Sequence, residues 1–158
     1  MKIHILQRRQ VVPLDRDAVF AFFADPHNLS RITPQGMGFR IITPIPIPMR
    51  VGALIDYVIR ISGITLRWTT LITQYDPPHS FVDVQLKGPY SYWHHHHEFV
   101  AAQNGTEVLD TVHYALPAGF LGTLAHALGV RRKLHRIFDH RESAIRQMLG
   151  EKQKETSG

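Results

Sequence analysis

Four consecutive histidines, His94 to His97, stand in the interior of the chain between Ser91-Tyr92-Trp93 and Glu98-Phe99. Imidazoles titrate near neutrality and ligate metals, so the run offers metal binding, proton transfer or a polar lining. Which of these applies depends on the element that carries it. On a strand, successive side chains point to opposite faces. Trp93, His95, His97 and Phe99 then share one face, and Tyr92, His94, His96 and Glu98 the other. The run is two pairs of histidines, not one cluster.

Asn104-Gly105 is the strongest hairpin signal in the chain, and it sets the cross-strand partners. With these two residues at the turn, His97 faces Val112, His95 faces Tyr114 and Phe99 faces Asp110. The even-numbered face of the partner strand, Val108, Asp110, Val112, Tyr114 and Leu116, is the more apolar one. It is expected to be concave and to carry Trp93, His95, His97 and Phe99 inward. His94, His96 and His113 go outside with Glu98.

Three kinds of chemistry suit an inward His95 and His97. A metal would need Asp110, diagonal to His97, as third ligand. Proton transfer would use Asp110 to fix the His97 tautomer and Tyr114 as an acidic hydroxyl. The third is a polar cavity wall whose imidazoles and phenol hydrogen-bond one another, a ligand or water. The residues favour the third reading, and neither a metal nor a cofactor is expected. His95, His97 and Tyr114 are the catalytic candidates should the site be an active site.

The surrounding pattern says what must position these groups. Residues 2–12 alternate as a strand, closed by Pro13. Val19, Phe20, Phe22 and Phe23 form a helical stripe opened by Asp15 as N-cap, and Pro26 starts a second short helix. From Met37 the pattern is strand after strand. Pro44, Pro46 and Pro48 remove three donors, so that stretch reads as a stiff loop bordering a cavity mouth. Ser62-Gly63, Gly88-Pro89 and Asn104-Gly105 separate the later strands. After Pro117 the period becomes helical: Leu121, Leu124, Leu128, Leu134, Phe138, Ile145 and Met148 or Leu149 mark one face of a helix from about residue 120 to about 150. The fold class is α+β, an antiparallel sheet of seven strands curled around that helix, with two short helices after the first strand. Helix and curved sheet leave a space between them, where a ligand cavity is expected.

The 158 residues suffice for one domain, taken as 1–150, with 151–158 a polar tail. The absence of cysteine excludes disulfides, thiol nucleophiles and thiolate metal sites. No window approaches a membrane span and no secretory signal opens the chain, so a cytoplasmic location is expected. The net charge of +5 clusters only at Arg131, Arg132, Lys133 and Arg136, where Asp139 and Glu142 balance it. A solvated helix face is expected there, with no nucleic-acid partner. No phosphate-cradling glycine loop and no Gly-x-Ser-x-Gly elbow occurs.

Longer motifs add a resemblance. Asn28-Leu29, Ile32-Thr33-Pro34, Phe81, Asp83, Gln85, Gly88-Pro89, Trp93, His95, His97, Phe99, Asp110, Tyr114, Pro117, Phe138 and Arg141 together resemble the START/SRPBCC superfamily. The similarity is to a bacterial ligand-binding subgroup related to the cyclase/dehydrase and coenzyme-Q-binding branches. It covers nearly the whole chain and implies the helix-grip fold. His96 and Glu98 depart from it, standing where small polar residues are more usual. Hydrophobicity would turn Val82, Val84 and Leu86 inward; the resemblance instead implies that Asp83 and Gln85 take part in the pocket or in contacts beside it. Trp68 shares a face with Ile64, Leu66, Thr70 and Ile72 and reads first as core, second as a ligand platform.

The expected partner is a small hydrophobic or aromatic ligand, lipid-, quinone- or polyketide-like. Trp93, Phe99 and Leu128 would form the apolar wall, and His95, His97, Asp110 and Tyr114 would orient a polar end; Trp68, Asp83 and Gln85 are further ligand-binding candidates. The first alternative is a cyclase or dehydratase on the same scaffold. The second is a protein-binding module with a filled core.

Overall fold

The computed structural model describes the backbone of residues 1–61, 63–117 and 124–156, and the side chains of these except 124–128 and 151–156. Ser62 and Leu121, and the side chain of Leu128, therefore lie outside the described residues. The order of elements is β1 (His4–Val12), α1 (Arg16–Phe23), α2 (Pro26–Arg31), a 3-10 turn (Gln35–Met37), β2 (Arg40–Ile41), β3 (Leu54–Ile61), β4 (Ile64–Asp76), β5 (Ser80–Lys87), β6 (Tyr92–Ala102), β7 (Gly105–Ala115) and α3 (Leu124–Thr156). The strands form one antiparallel sheet ordered β1-β7-β6-β5-β4-β3-β2. The last strand pairs with the first, and α3 lies on the concave side. This is the helix-grip fold.

Local chemistry explains the helices. Asp15 caps α1 by accepting from the Ala18 N–H at 2.9 Å, and Asp25 caps α2 by accepting from the His27 N–H. On α3, Leu134, Phe138, Ile145 and Leu149 are buried, the spacing of one helical face. The helix continues to Thr156, so the first six residues of the expected polar tail extend it.

Three local expectations need correction. The stretch from Met37 does not make a full strand. Gly38 adopts a left-handed conformation, only Arg40 and Ile41 pair with β3, and the Ile42 and Thr43 N–H groups both donate to the Asp56 carbonyl. The prolines that follow then leave nothing to extend the ladder.

The β6–β7 turn is centred on Gln103-Asn104, with Gly105 already paired to Ala102. His97 accordingly faces Asp110 and His95 faces Val112, two residues from the expected register. A Cβ on Gly105 would lie 2.1 Å from the Val12 carbonyl oxygen, and its φ is +132°. Both the close approach of β1 and the positive φ require the glycine. A shift of two residues preserves the faces, so the assignment of His95 and His97 to the concave side stands.

On β1, Ile3 and Ile5 mark the strand but point outward, while Leu6 and Val12 are buried. Leu6 pairs with Val112, and cross-strand partners share a face.

Two apolar clusters fill the grip. One joins Leu6, Trp68, Trp93, Leu134 and Phe138; the other joins Val12, Phe20, Phe81, Phe99 and Ile145. Among the described residues no helix is long and apolar enough to cross a membrane.

Candidate functional site

Strands β5, β6 and β7 lie side by side, and their registers place Asp83 against His95, and His97 against Asp110. The four side chains form a compact group between the two apolar clusters, with His95, His97 and Asp110 buried and Asp83 partly so. His95 Nε2 lies 2.9 Å from Asp110 Oδ1, and His97 Nε2 lies 2.8 Å from Asp83 Oδ2. His95 Nδ1 lies 3.5 Å from the same Asp83 oxygen. His97 Nδ1 approaches Asp110 Oδ1 at 2.8 Å but without the alignment of a hydrogen bond. The two imidazole rings are 3.7 Å apart between centres. His97 also stacks on Phe81 at 4.2 Å, and His95 meets Phe138 edge-on at 5.7 Å.

Arg141 completes the group from the helix. Its Nη2 lies 3.9 Å from Asp110 Oδ1, and its guanidinium sits over Phe23 and Phe138. Its side chain is only 11% exposed. Arg141 lies three residues after Phe138 and four before Ile145, squarely within the buried stripe. A charge interrupting an apolar helical stripe was the sequence signal that could have singled it out.

The electrostatics divide the two histidines. Burial favours the neutral form of both. At His95 burial and the nearby charge of His97 outweigh the carboxylates, and its pKa falls to about 4. At His97 the contacts with Asp110 and Asp83 overcome burial and raise the pKa above its ordinary value. Burial alone would raise Asp110, yet Arg141 and the two histidines hold its carboxyl well below the usual range. Asp83 is likewise lowered, by His95 and His97 against burial. Asp83 and Asp110 are thus set against Arg141, with proton affinity raised at His97 and lowered at His95.

Above this polar floor lies a cavity of about 170 Å³ between the sheet and α3. Its walls include Met37, Ile55, Ile59, Trp68, Trp93 and Phe138, and Asp83, His95, His97 and Arg141 are its charged or titratable lining together with Asp25 and the phenols of Tyr57 and Tyr90. Trp68 packs on Tyr57 and, edge-on, on Trp93. Its indole Nε1 is buried and has no acceptor among the described residues.

The other sequence-derived candidates fall around this space. Gln85 does not line it; its amide donates to the Tyr90 carbonyl and accepts from the Tyr90 N–H, holding Tyr90 in the wall. Phe99 is buried in the second apolar cluster, below the cavity. Asp110 lies behind the histidines. Tyr114 stacks on His4 and meets Tyr90 edge-on, outside the lining. Tyr57 and Tyr90 are the phenols the sequence reading missed; no spacing distinguishes them from other strand and loop aromatics. His94 and His113 face each other on the convex side, and Arg8 reaches α3 through Asp139 and His135.

Residues 12–137 match the family model described as polyketide cyclase / dehydrase and lipid transport. The chain belongs to this family. Solved structures agree on the fold of this polyketide cyclase / dehydrase and lipid transport family member. The Zhui aromatase/cyclase from Streptomyces sp. R1128 is 15% identical, with 98% of this chain and 96% of that one covered and a TM-score of 0.76. The di-domain ARO/CYC StfQ from the steffimycin biosynthetic pathway is 14% identical with a TM-score of 0.77; 96% of this chain covers 52% of it, about half its length. Ara h 8.0201 is 15% identical with a TM-score of 0.62, covering 91% and 98% of the two chains. No curated protein matches the sequence. At these identities the likeness is one of fold.

Proposed function

We propose that the chain binds an apolar or aromatic small molecule, lipid-, quinone- or polyketide-like, between the sheet and α3. The observation that carries this reading is the apolar cavity with a charged floor. A volume of about 170 Å³ is close to the roughly 150 Å³ of apolar cavities that take up benzene. One ring or a short chain enters without rearrangement, and a larger ligand must protrude through the mouth or displace wall side chains. The unpartnered Trp68 Nε1 and the Arg141 guanidinium favour a ligand that presents an oxygen acceptor. A filled-core partner module accords poorly with such a space.

Native mass spectrometry of freshly purified full-length chain tests the proposal. The expected result is a retained small-molecule mass, or saturable uptake of an aromatic fluorescent probe that Ile59→Trp abolishes. A chain that takes up neither overturns it.

One observation favours a second reading, a cyclase or dehydratase on the same scaffold. His97 sits between two carboxylates at the cavity floor, an arrangement suited to holding and returning a proton. Turnover unchanged in a His95→Gln/His97→Gln double variant removes both histidines from any chemistry.

A further inference from the structure

The way the two inward histidines share their partners carries more than a hydrogen-bonded floor requires. Each imidazole turns one nitrogen to Asp110 and the other to Asp83. His95 presents Nε2 to Asp110 at 2.9 Å and Nδ1 to Asp83 at 3.5 Å. His97 presents Nδ1 to Asp110 and Nε2 to Asp83 at 2.8 Å. The nitrogens facing Asp83 converge on a single oxygen, Oδ2. One donor atom from each of Asp83, His95 and His97 lies within 4.8 Å of the others.

A tetrahedral ion with bonds of about 2.0–2.1 Å separates its ligand atoms by about 3.3 Å, and an octahedral one by about 3.0 Å. The two edges to Asp83, 2.8 Å and 3.5 Å, bracket these values, and the third, between the two imidazole nitrogens, lies within 4.8 Å, so an ion would draw the two rings to its own spacing. Asp110 stands where a second carboxylate belongs, accepting from the rear nitrogen of His95, which fixes that tautomer, and facing the rear nitrogen of His97. Once His95 donates through Nε2, its Nδ1 lone pair faces the Asp83 carboxylate. Two acceptors in that position are stabilised by a cation between them. Among the described residues His97 Nδ1 is buried and lacks an aligned partner, so hydrogen bonding alone does not satisfy this group.

The geometry points to a binding site for one first-row divalent transition-metal ion, held by Asp83, His95 and His97 with an open position toward the cavity. Two imidazoles and one carboxylate suit zinc, cobalt or ferrous iron, and do not suit magnesium or calcium, which take oxygen donors. Three protein ligands leave a coordination position free, unlike the closed four-ligand structural site. Asp83 and Arg141, both in the cavity lining, put that position within reach of a ligand's oxygen atom. The metal site shares the cavity with the proposed ligand but does not depend on it. The sequence alone suggested Asp110 as third ligand; the register of β5 supplies Asp83 instead, and Asp110 orients.

The test is titration of tag-free, chelator-treated full-length protein with Co²⁺ alone, read by its visible d–d absorption, followed by displacement with Zn²⁺. The expected result is one Co²⁺ per chain, with affinity reduced about 100-fold or more in Asp83→Asn and His95→Gln and about 10- to 100-fold in Asp110→Asn. The His94→Gln/His96→Gln variant, altered only on the convex face, keeps the wild-type spectrum and affinity. Wild-type protein without stoichiometric binding overturns the proposal, and the four side chains are then a self-neutralised ion group. Binding lost in the convex-face variant overturns it too, by assigning the ion to the exposed histidines. If the Asp83 or His95 variants do not fold, these two measurements still decide. Uptake of the aromatic probe by metal-free protein is followed in parallel, so failure of the metal reading and of the ligand reading register separately.

Discussion

His95 and His97 differ by their neighbours rather than their depth, and the carboxylate that serves both, Asp110, is the residue the group depends on most. Its side chain is 9% exposed, and it counters Arg141 while receiving His95 Nε2. Removing one partner of a buried charged group leaves the others uncompensated. Asp110→Ala is therefore expected to cost about 3 to 5 kcal/mol in urea unfolding, whereas Ala at half-exposed Glu98, on the convex face, costs less than about 1 kcal/mol. The inward placement of the two histidines was legible from strand parity alone. Asp83 was not, because Val82 and Val84 offered an equally good inward face until the pairing of β5 with β6 was known. A second prediction concerns Asp56, on the outer face of β3, which accepts from Thr69 Oγ1 and Arg67 Nη2. These bonds hold its carboxyl below its ordinary value of 3.8. A depressed folded-state value means stabilisation present above about pH 3.8 and lost as pH falls through the lower folded value. Carbon-detected NMR titration is expected to show the depressed midpoint, and Asp56→Asn to flatten the acid limb of stability against pH. At 29% side-chain exposure the effect is small.

Elements place these residues, and the element that does most is the β6–β7 hairpin closed against β1. Gly105→Ala puts a Cβ 2.1 Å from the Val12 carbonyl and forces φ of +132° on a residue with a side chain. Backbone cannot yield as a flexible side chain would, so a loss of about 3 kcal/mol is expected, measured by thermal or urea unfolding. Gly36→Ala, where nothing lies within 4 Å and φ is unremarkable, is the matched control and changes stability by less than about 1 kcal/mol. The same contact explains what the sequence could reveal of this region. Alternation on the two strands fixed their faces, since an even slip leaves side chains where they were. The register itself needed the tertiary contact with β1, which no local signal encodes. The long helix was legible because its apolar spacing survives any detail of packing. The strand after Met37 was not, because its pairing fails at Gly38 and at the shared Asp56 carbonyl rather than at any residue hostile to strands.

For the whole molecule, the cavity is the feature that stability alone does not explain. Closed and dry, an apolar space of about 170 Å³ would cost about 4 kcal/mol at roughly 24 cal/mol per Å³, a substantial part of a typical domain's net stability; opening to solvent and a polar floor lower that cost. A fold selected for stability alone would close it with larger side chains on β3 or β4. Ile59 is the position to test: it is 8% exposed, lies on β3 and lines the space. Tryptophan there adds volume toward the cavity instead of toward packed backbone. Ile59→Trp is expected to raise Tm by about 3 °C, corresponding to roughly 1 kcal/mol recovered, while abolishing uptake of the aromatic probe. Wild-type protein at a hundredfold excess of ligand over Kd gains about 2.7 kcal/mol and a higher Tm; the filled variant gains nothing. Calorimetry on both proteins, with and without probe, measures the two effects together. A variant that is more stable and still binds would locate the ligand elsewhere. One that is less stable would mean that the walls around Ile59 are already at contact. The expected pairing of higher stability with lost binding is what a space kept open for a ligand requires.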